Sequence, residues 1–364
     1  MESLNIFLRE HLLFTAVAVL MGSYIIASSI FPVIIYLSHT KNLAKKPNSR
    51  SSHSNAVPTL GGLAIFIGLS IIIALITIIM GDKTEVSEIL SVVTATSILL
   101  FVGIKDDLME ISSRKKFITQ LVAALLVILL TGHRITDFHG LLGLHTIPRE
   151  LSILFTVFVY ILVINAYNLI DGIDGLAAGV GIVIFGFCGG YFIANNLFID
   201  SFLSIATIGG LAAFTKYNIS ESRKVFMGDT GSMIIGFILT YQIVALLGAD
   251  IDLTNDYPIS NTPVVALALL SYPLFDTLRV FVIRIKNKKS PFTADRNHIH
   301  HKLIDLGFTH LKASLIVILY TNFIVGVSIA TRHLDINIHL MAVVLIGSFL
   351  MMIPQYINSK NSNN

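Results

Sequence analysis

Long apolar stretches separated by short polar segments run along almost the whole chain. A helix that crosses the hydrocarbon core of a bilayer needs roughly 20 apolar residues, so each stretch predicts a membrane-spanning helix. About eleven stretches meet this description: residues 12–38, 60–80, 89–104, 117–132, 151–167, 176–194, 202–215, 232–248, 263–285, 313–330 and 338–353. The pattern predicts an all-α polytopic membrane protein with a single domain over residues 1–364 and a disordered polar tail at 358–364.

The composition agrees with this pattern. Hydrophobic residues make up 54% of the chain and charged residues only 13%, with a mean hydropathy of +0.79. Soluble domains carry about 25% charged residues, so an ordinary soluble protein is excluded. The net charge of +3 gives no indication of a nucleic-acid partner. The N-terminus lacks the basic region and small-residue cleavage site of a signal peptide, so we expect residues 12–38 to form a retained first span.

The distribution of basic residues predicts an orientation. If the N-terminus lies outside, most of the 25 Lys and Arg residues fall in inner loops and the C-terminal tail. Arg279 lies within a span, and the outer segments hold only Arg9, Lys83, Arg134, Arg149 and Arg332. Because positive charge concentrates on the cytoplasmic side of membrane proteins, we expect the N-terminus outside and the C-terminus in the cytoplasm.

This topology places the polar clusters of five separate loops on the cytoplasmic face. The first loop, residues 41–62, is basic and rich in hydroxyl groups. The other four loops contribute Asp106 and Asp107; Asn168, Asp171 and Asp174; Phe226 and Asp229; and Arg296, His298, His300 and His301. Ionisable groups at the edge of a membrane are costly, so their convergence on one face indicates a functional site.

The residue types in these loops point to phosphate chemistry. Carboxylates suit Mg²⁺, which often shares its ligand shell with phosphate, and basic side chains neutralise phosphate charge. Glycines beside Asp229 let backbone amides approach an anion. We therefore expect phosphoryl transfer from a soluble donor to a lipid acceptor. Each cluster has a plainer interpretation: a solvated turn at Asp106 and Asp107, a helix cap at Asp229, and a hydrogen-bonded histidine set or, less favoured, a zinc site.

Four motifs carry a specific resemblance. DDLMEIS, NAYNLIDGIDGLAAG, VFMGDTGS and SPFTADRNHIHHKLIDLGF, in this order, resemble the polyprenyl-phosphate N-acetylhexosamine-1-phosphate transferases over about residues 47–307. The resemblance implies transfer of a sugar 1-phosphate from a UDP-N-acetylhexosamine to undecaprenyl phosphate, with release of UMP. It also implies Mg²⁺, or Mn²⁺ in its place, and a multi-pass location in the bacterial cytoplasmic (inner) membrane. It is compatible with a homodimer.

The resemblance also assigns roles to the candidate residues. Asp229 and Asn168 match metal ligands, and Asp106 matches an acid that deprotonates or orients the lipid phosphate. Asp107 and Asp171 match acids required near the diphosphate. The residues that match donor contacts are Asp174 and Phe226 for uracil, and Arg296, His298, His300 and His301 for the diphosphate and sugar.

Departures from one branch narrow the expected donor. The branch that uses UDP-N-acetylmuramoyl-pentapeptide has three consecutive histidines followed by Phe and Glu. Here Ile299 interrupts the run, and Lys302 and Leu303 follow it. Residues 53–58 also lack the Lys that this branch carries near the nucleotide. We therefore expect N-acetylglucosamine, with the muramoyl-pentapeptide donor as the alternative.

Two functions of other classes remain open at this point. An ion- or proton-coupled transporter predicts polar residues deep within spans. Asp276 and Arg279 are the main residues of this kind, and their spacing of three lets them pair on one helix face. A membrane-bound lipid phosphatase also fits acids and bases on the inner face, but it needs no nucleotide pocket.

Overall fold

The computed structural model describes residues 2–41, 57–249, 256–290 and 295–361, and these residues are almost entirely helical. Within these ranges there is no β strand, although an isolated antiparallel bridge joins Asp137 to Thr146. Most of the first inner loop, including residues 53–56, and residues 291–294 of the SPFTADRNHIHH motif lie outside the described residues.

The described helices are α1 (Glu2–Glu10), α2 (Leu12–Thr40), α3 (Gly61–Met80), α4 (Lys83–Met109), α5 (Ser113–Thr131), α6 (Arg149–Ile170), α7 (Leu176–Ala194), α8 (Phe198–Asn218), α9 (Gly228–Ala249), α10 (Thr262–Leu269), α11 (Ser271–Lys286), α12 (Ile299–Asp305), α13 (His310–Thr331) and α14 (Ile336–Asn361). A short 3₁₀ turn, Leu141–Gly143, lies in the segment between α5 and α6.

The helices bear out the predicted class of an all-α polytopic membrane protein. Within the described residues, nine helices are long and apolar enough to cross a membrane, and the consecutive pair α10 and α11 would make a tenth. The remaining predicted stretch, residues 117–132, lies largely in α5, whose first turn carries three basic residues: Arg114, Lys115 and Lys116. The orientation relative to the membrane remains a prediction.

The stretch 263–285 was predicted as one span, and the structure divides it into two helices. The chain bends by 72° between α10 and α11, with the break at Leu270. Pro273 explains the break, because proline lacks the N–H that would donate to Leu269 and its ring clashes with that carbonyl. The C-terminal tail also differs in part: α14 runs to Asn361, so residues 358–361 are helical, while 362–364 lie outside the described residues.

Helix α9 forms the centre of the bundle. Every residue from Thr230 to Leu247 is buried. Helices α3, α4, α6, α7 and α8 all contact α9. A central helix that is apolar on all sides is stabilised by its neighbours, and its first turn is held in a defined place among their ends. The first turn of α9 carries Asp229, so the fold positions this carboxylate.

Two glycines let neighbouring helices approach the start of α9. A Cβ atom on Gly62, in α3, would collide with the backbone of Gly231. A Cβ atom on Gly103, in α4, would lie 2.5 Å from Thr230 Cα. The close approach of three backbones at one point therefore depends on the absence of these side chains.

Replacing Gly62 with alanine is expected to lower the free energy of unfolding by about 1–3 kcal/mol, because the backbone of α9 must move to make room. Thermal unfolding of the detergent-purified protein measures this effect. Gly186→Ala is the matched control: Gly186 lies in α7 with nothing within 4 Å of an added Cβ, and alanine favours the helix. Equal unfolding temperatures for Gly62→Ala and the wild type would contradict the prediction.

Candidate active site

Asp107, in the last turn of α4, caps the start of α9 from outside that helix. One of its carboxylate oxygens accepts a hydrogen bond from the backbone N–H of Asp229 (2.9 Å). The other oxygen accepts from the backbone N–H (3.1 Å) and hydroxyl (2.6 Å) of Thr230. These are the groups that a helix N-terminus leaves unpaired, so a carboxylate there stabilises the helix and its dipole. Asp107 thereby holds Asp229 in place.

The segment that leads into α9 is paired with the segment that leads into α3. The Phe226 backbone N–H donates to the Pro58 carbonyl (2.8 Å), and the Gly61 N–H donates to the Phe226 carbonyl (3.0 Å). Gly228 then turns the chain with φ +73°, a left-handed conformation that favours glycine. A Cβ atom there would lie 2.5 Å from an Asp107 oxygen. Phe226 is thus held beside the Asp229 turn.

Five polar side chains from four helices meet at this point. The Lys116 ammonium, in α5, lies 2.5 Å from Asp106 Oδ2 and 2.8 Å from Asp229 Oδ2. The Asn168 amide, near the end of α6, donates to Asp229 Oδ1 (2.6 Å) and to the Ser232 hydroxyl (2.7 Å). Residues that the sequence places in separate loops therefore meet at one end of the bundle.

The turn between α6 and α7 adds Asp171 to this site. In the part of the chain that the structure describes, its carboxylate has neither a hydrogen-bond donor nor a cation beside it. Burial raises the pKa of Asp171 well above its ordinary value, and the negative charges of Asp229 and Asp107 raise it further. A cationic or hydrogen-bond-donating ligand would relieve this repulsion.

Asp174, three residues further along the turn, has the opposite environment. Burial favours its neutral form, but hydrogen bonds from His310 and Lys224 hold the pKa of Asp174 below its ordinary value. Its Oδ2 lies 2.6 Å from the Lys224 ammonium and 3.0 Å from His310 Nδ1. The two acids of this turn therefore differ in pKa because they have different partners.

Buried Asn218, the last residue of α8, connects the turn to the Phe226 segment. Its side-chain oxygen accepts from the Gly175 backbone N–H (2.7 Å), and its amide donates to the Val225 carbonyl (3.0 Å). Because Asp174 precedes Gly175 and Phe226 follows Val225, this one side chain brings the two predicted uracil contacts into the same region.

The histidine segment packs against the same turn. His298 and His300 are only 4% and 1% exposed, whereas His301 is partly exposed. His300 Nε2 would lie 2.5 Å from a Cβ atom on Gly172, so glycine at this position lets the imidazole approach. On the other side of the ring, His300 Nδ1 lies 3.2 Å from the Tyr272 hydroxyl.

Burial lowers the pKa of His300 well below its ordinary value, and the charge of His301 adds to this effect. Burial and the Arg296 guanidinium lower the pKa of His301 to about 4. Both imidazoles are therefore neutral near pH 7. Arg296 itself is at the surface, with half of its side chain exposed, and lies 3.7 Å from Asp305.

The acidic groups are not arranged as a closed metal site. Among the described residues there is no group of three or more His, Cys, Asp or Glu side chains placed to hold a metal ion. The nearby oxygen donors are the carboxylates of Asp229 and Asp106, which both contact Lys116, and the amide carbonyl of Asn168. Mg²⁺ commonly binds through one or two carboxylates and completes its shell with water and substrate phosphate. This donor set fits a cation that is shared with a phosphorylated substrate.

Sequence reasoning missed three members of the site: Lys116, Lys224 and His310. Inner-loop lysines were interpreted by default as topology signals and in general as neutralising phosphate charge, and nothing in the run Arg114–Lys116 distinguishes the third residue from the others. His310 begins α13, and its contact with Asp174 spans 136 residues along the chain. Only the packing of distant helices shows that these three side chains are next to the predicted acids.

The ionisable groups of the described site lie at helix ends, which argues against a transport path through the bundle. Asp276 and Arg279, in α11, are bonded to each other with Oδ1 and Nη2 2.7 Å apart. These two side chains are therefore paired with each other rather than left free to bind a transported ion.

The chain is similar to known proteins over most of its length. The model of glycosyl transferase family 4 matches residues 89–247. A probable undecaprenyl-phosphate N-acetylglucosaminyl 1-phosphate transferase of Bacillus subtilis (strain 168) is 31% identical over 337 residues, which are 90% of this chain and 89% of that protein. The undecaprenyl-phosphate alpha-N-acetylglucosaminyl 1-phosphate transferase of Yersinia pestis is 30% identical over 285 residues, 76% of this chain and 73% of the relative.

A transferase of the same name from Salmonella typhi is 27% identical over 299 residues, 80% of this chain and 77% of the relative. The region matched by the family model contains most of the site: Asp106, Asp107, Lys116, Asn168, Asp171, Asp174, Phe226 and Asp229. With its bundle of apolar helices and its polar site at their ends, this chain belongs to glycosyl transferase family 4 as a multi-pass membrane enzyme.

Proposed function

We propose that this enzyme transfers N-acetylglucosamine 1-phosphate from UDP-N-acetylglucosamine to undecaprenyl phosphate and releases UMP. The reaction would be the first membrane step of a cell-envelope polysaccharide, at the inner face of the bacterial cytoplasmic membrane. The observation that carries the proposal is the contact of Asp106, Lys116, Asp229 and Asn168 at one end of the bundle. The printed names of the relatives supply the donor and the acceptor.

In the proposed step, an oxygen of the lipid phosphate attacks the β-phosphorus of the UDP-sugar. A new phosphorus–oxygen bond forms, the bond to the bridging oxygen breaks, and UMP leaves with that oxygen and its electron pair. Two anions must meet for this to happen. The work of the protein is therefore to position them and to offset their repulsion with fixed positive charge.

We assign Asp106 a positioning role in this step. Its Oδ2 contacts the Lys116 ammonium and its Oδ1 accepts from the Ile111 backbone N–H (2.8 Å), so both oxygens are already engaged. The second pKa of a phosphate monoester is about 6, so the lipid phosphate is largely ionised near neutral pH and needs no strong base. Asp106 holds the Lys116 ammonium, and in this proposal that ammonium contacts the phosphate oxygens.

Asp229 and Asn168 are the residues that we expect to hold Mg²⁺, with Mn²⁺ as the alternative ion. When bound, the ion would neutralise negative charge on the donor diphosphate. Asp107 keeps Asp229 at the start of α9. Asp171 completes the set of acids beside the diphosphate.

The remaining residues form the proposed donor site. Asp174 and Phe226, linked through Asn218, would hold the uracil by hydrogen bonding and ring stacking. Arg296 and the three histidines of the HIHH motif would contact the diphosphate and sugar, and Arg296 is the most exposed of the four. The interrupted histidine run favours N-acetylglucosamine over the muramoyl-pentapeptide donor. A homodimer remains a prediction of the family resemblance.

The test is UMP release by the detergent-purified full chain with Mg²⁺, undecaprenyl phosphate and a panel of UDP-sugars. We expect UMP with UDP-N-acetylglucosamine, and none when the lipid phosphate is omitted. UMP only with UDP-N-acetylgalactosamine or with UDP-N-acetylmuramoyl-pentapeptide would overturn the donor assignment. No UMP with any donor would overturn the proposed reaction.

A further inference from the structure

Asp276 is a buried acid that the proposed reaction does not use. It lies in α11, just after the bend, and is 0% exposed. Its Oδ1 accepts from the Arg279 guanidinium (2.7 Å) and from the backbone N–H of Ile299 (3.1 Å). Its Oδ2 lies 2.9 Å from Nδ1 of His298. One carboxylate thus holds both the backbone and the imidazole of the histidine segment.

Arg279 extends this network to both sides of the segment. Its Nη2 also donates to the carbonyl of Asn297 (2.5 Å), and its Nη1 donates to the side-chain oxygen of Gln355 in α14 (3.1 Å). Residues 297, 298 and 299 are consequently each bonded to α11. The position of His298 relative to the bundle is therefore set by polar contacts as well as by packing.

A buried Asp–Arg pair contributes little to stability, because the cost of removing both charges from water offsets their attraction. Most of the partners of this pair lie in the three residues around His298. Such an arrangement orients the histidine segment, because side chains that contact substrate must be held in a narrow range of geometry.

The contact with Asp276 determines which ring nitrogen of His298 carries a proton. An ionised carboxylate only accepts hydrogen bonds, so Nδ1 of His298 must carry a proton, in the neutral ring as in the imidazolium ion. Nε2 makes no hydrogen bond with the described residues. It is the nitrogen left for another partner.

We propose that Asp276 is a positioning residue that fixes the orientation and the tautomer of His298, so that Nε2 of this ring is presented to the sugar-diphosphate donor. The inference rests on the proposed function, because it takes the histidine segment as part of the donor site.

Asp276→Asn tests the proposal with almost no change of shape. The backbone N–H of Ile299 and the Arg279 guanidinium keep the amide carbonyl on their side, which turns the amide NH₂ toward His298 Nδ1. The ring must then lose its Nδ1 proton and adopt the other tautomer, as when an amide replaces the acid of a catalytic triad.

For Asp276→Asn we expect kcat/KM for UDP-N-acetylglucosamine to fall about 10–100-fold, the usual effect of losing a carboxylate behind a functional histidine. The loss should lie mainly in KM of the sugar donor. KM for undecaprenyl phosphate should not change. The matched control is His339→Gln, which removes a buried imidazole of the α13–α14 pair whose only hydrogen bond among the described residues is to Ser328 (2.9 Å), and it should leave both constants unchanged.

A double-mutant cycle separates orientation from general damage. In a His298→Asn background, Asp276→Asn should cause little further loss, because there is no imidazole left to orient. The proposal would be overturned if the fold losses of kcat/KM in the two single variants multiplied in the double variant. It would also be overturned if kcat/KM of Asp276→Asn stayed within twofold of wild type.

A spectroscopic measurement on the wild-type protein covers the case in which Asp276→Asn does not fold. The ¹⁵N shifts of labelled histidines, with His298 assigned by comparison with the His298→Asn protein, report which ring nitrogen carries the proton. We expect a proton on Nδ1 of His298; an unprotonated Nδ1 would overturn the inference. This readout needs no turnover. A protein that releases no UMP but shows a protonated Nδ1 would refute the proposed function and leave the Asp276 contact intact.

Discussion

Asp229→Asn is expected to reduce UMP release by at least about 10²–10³-fold, the typical effect of removing one electrostatic contact to a developing charge. The amide has the shape of the carboxylate and can still accept from Asn168, but it lacks the negative charge that Lys116 and a divalent cation require. In the native site the Asp229 carboxylate pairs with the Lys116 ammonium and accepts from Asn168, and the amide weakens these contacts. The thermal unfolding temperature should therefore fall slightly while activity is lost.

The matched control for this variant is Asp82→Asn. Asp82 is also an acid at a helix start, where it caps α4 by accepting from the Glu85 backbone N–H (2.8 Å). Asparagine caps helices about as well, so both activity and unfolding temperature should be unchanged. Full activity of Asp229→Asn would exclude Asp229 as a metal ligand. A large fall in its unfolding temperature would show that the carboxylate is structural instead.

Lys116→Met is expected to lower UMP release by about 10²–10³-fold as well, because the fixed cation nearest the phosphate site is lost. This variant should also be clearly less stable than Asp229→Asn. Asp106 is almost fully buried, and an uncompensated charge of this kind costs about 1–3 kcal/mol. Turnover and the thermal unfolding temperature of the purified protein measure the two effects. The two variants thus lose activity alike but differ in the size of the stability change.

Lys115→Met provides a closely matched control. Lys115 precedes Lys116 in the first turn of α5 and is exposed, so its removal should leave turnover and unfolding unchanged within error. Lys116→Arg keeps the charge but replaces a compact ammonium with a planar fork, and we expect partial activity. Equal effects of the Lys115 and Lys116 variants would indicate a general contribution of positive charge at this face and would remove Lys116 from the site.

The contrast between Lys115 and Lys116 shows where sequence reasoning stops. Both are lysines in one basic run, and both fit the rule for inner loops. Their difference arises because α5 packs against α4 in such a way that only the second lysine faces Asp106. Helix packing decides this, and it involves residues that are not neighbours in sequence.

The acids illustrate the complementary case. Asp107 and Asp229 were predicted as site residues, and the structure places both at the start of α9. The prediction could not show that Asp107 caps the helix that bears Asp229, since 122 residues separate the two partners. Similarly, Asp171 and Asp174 lie three residues apart in one motif, but their pKa values diverge. Burial and the charges of Asp229 and Asp107 raise the pKa of Asp171, whereas His310 and Lys224 lower that of Asp174.

The sequence by itself determined the class of the fold, the approximate span boundaries, and most of the polar residues that meet at the candidate site. It could do so because hydropathy is a local property and because a helix satisfies its own backbone groups within the membrane. Only the tertiary structure decided the bend before α11, the close approach of α3 and α4 to α9, and the partners of each charged side chain. These features depend on contacts between distant segments, in which a proline, a glycine or a lysine acquires its role from what packs against it.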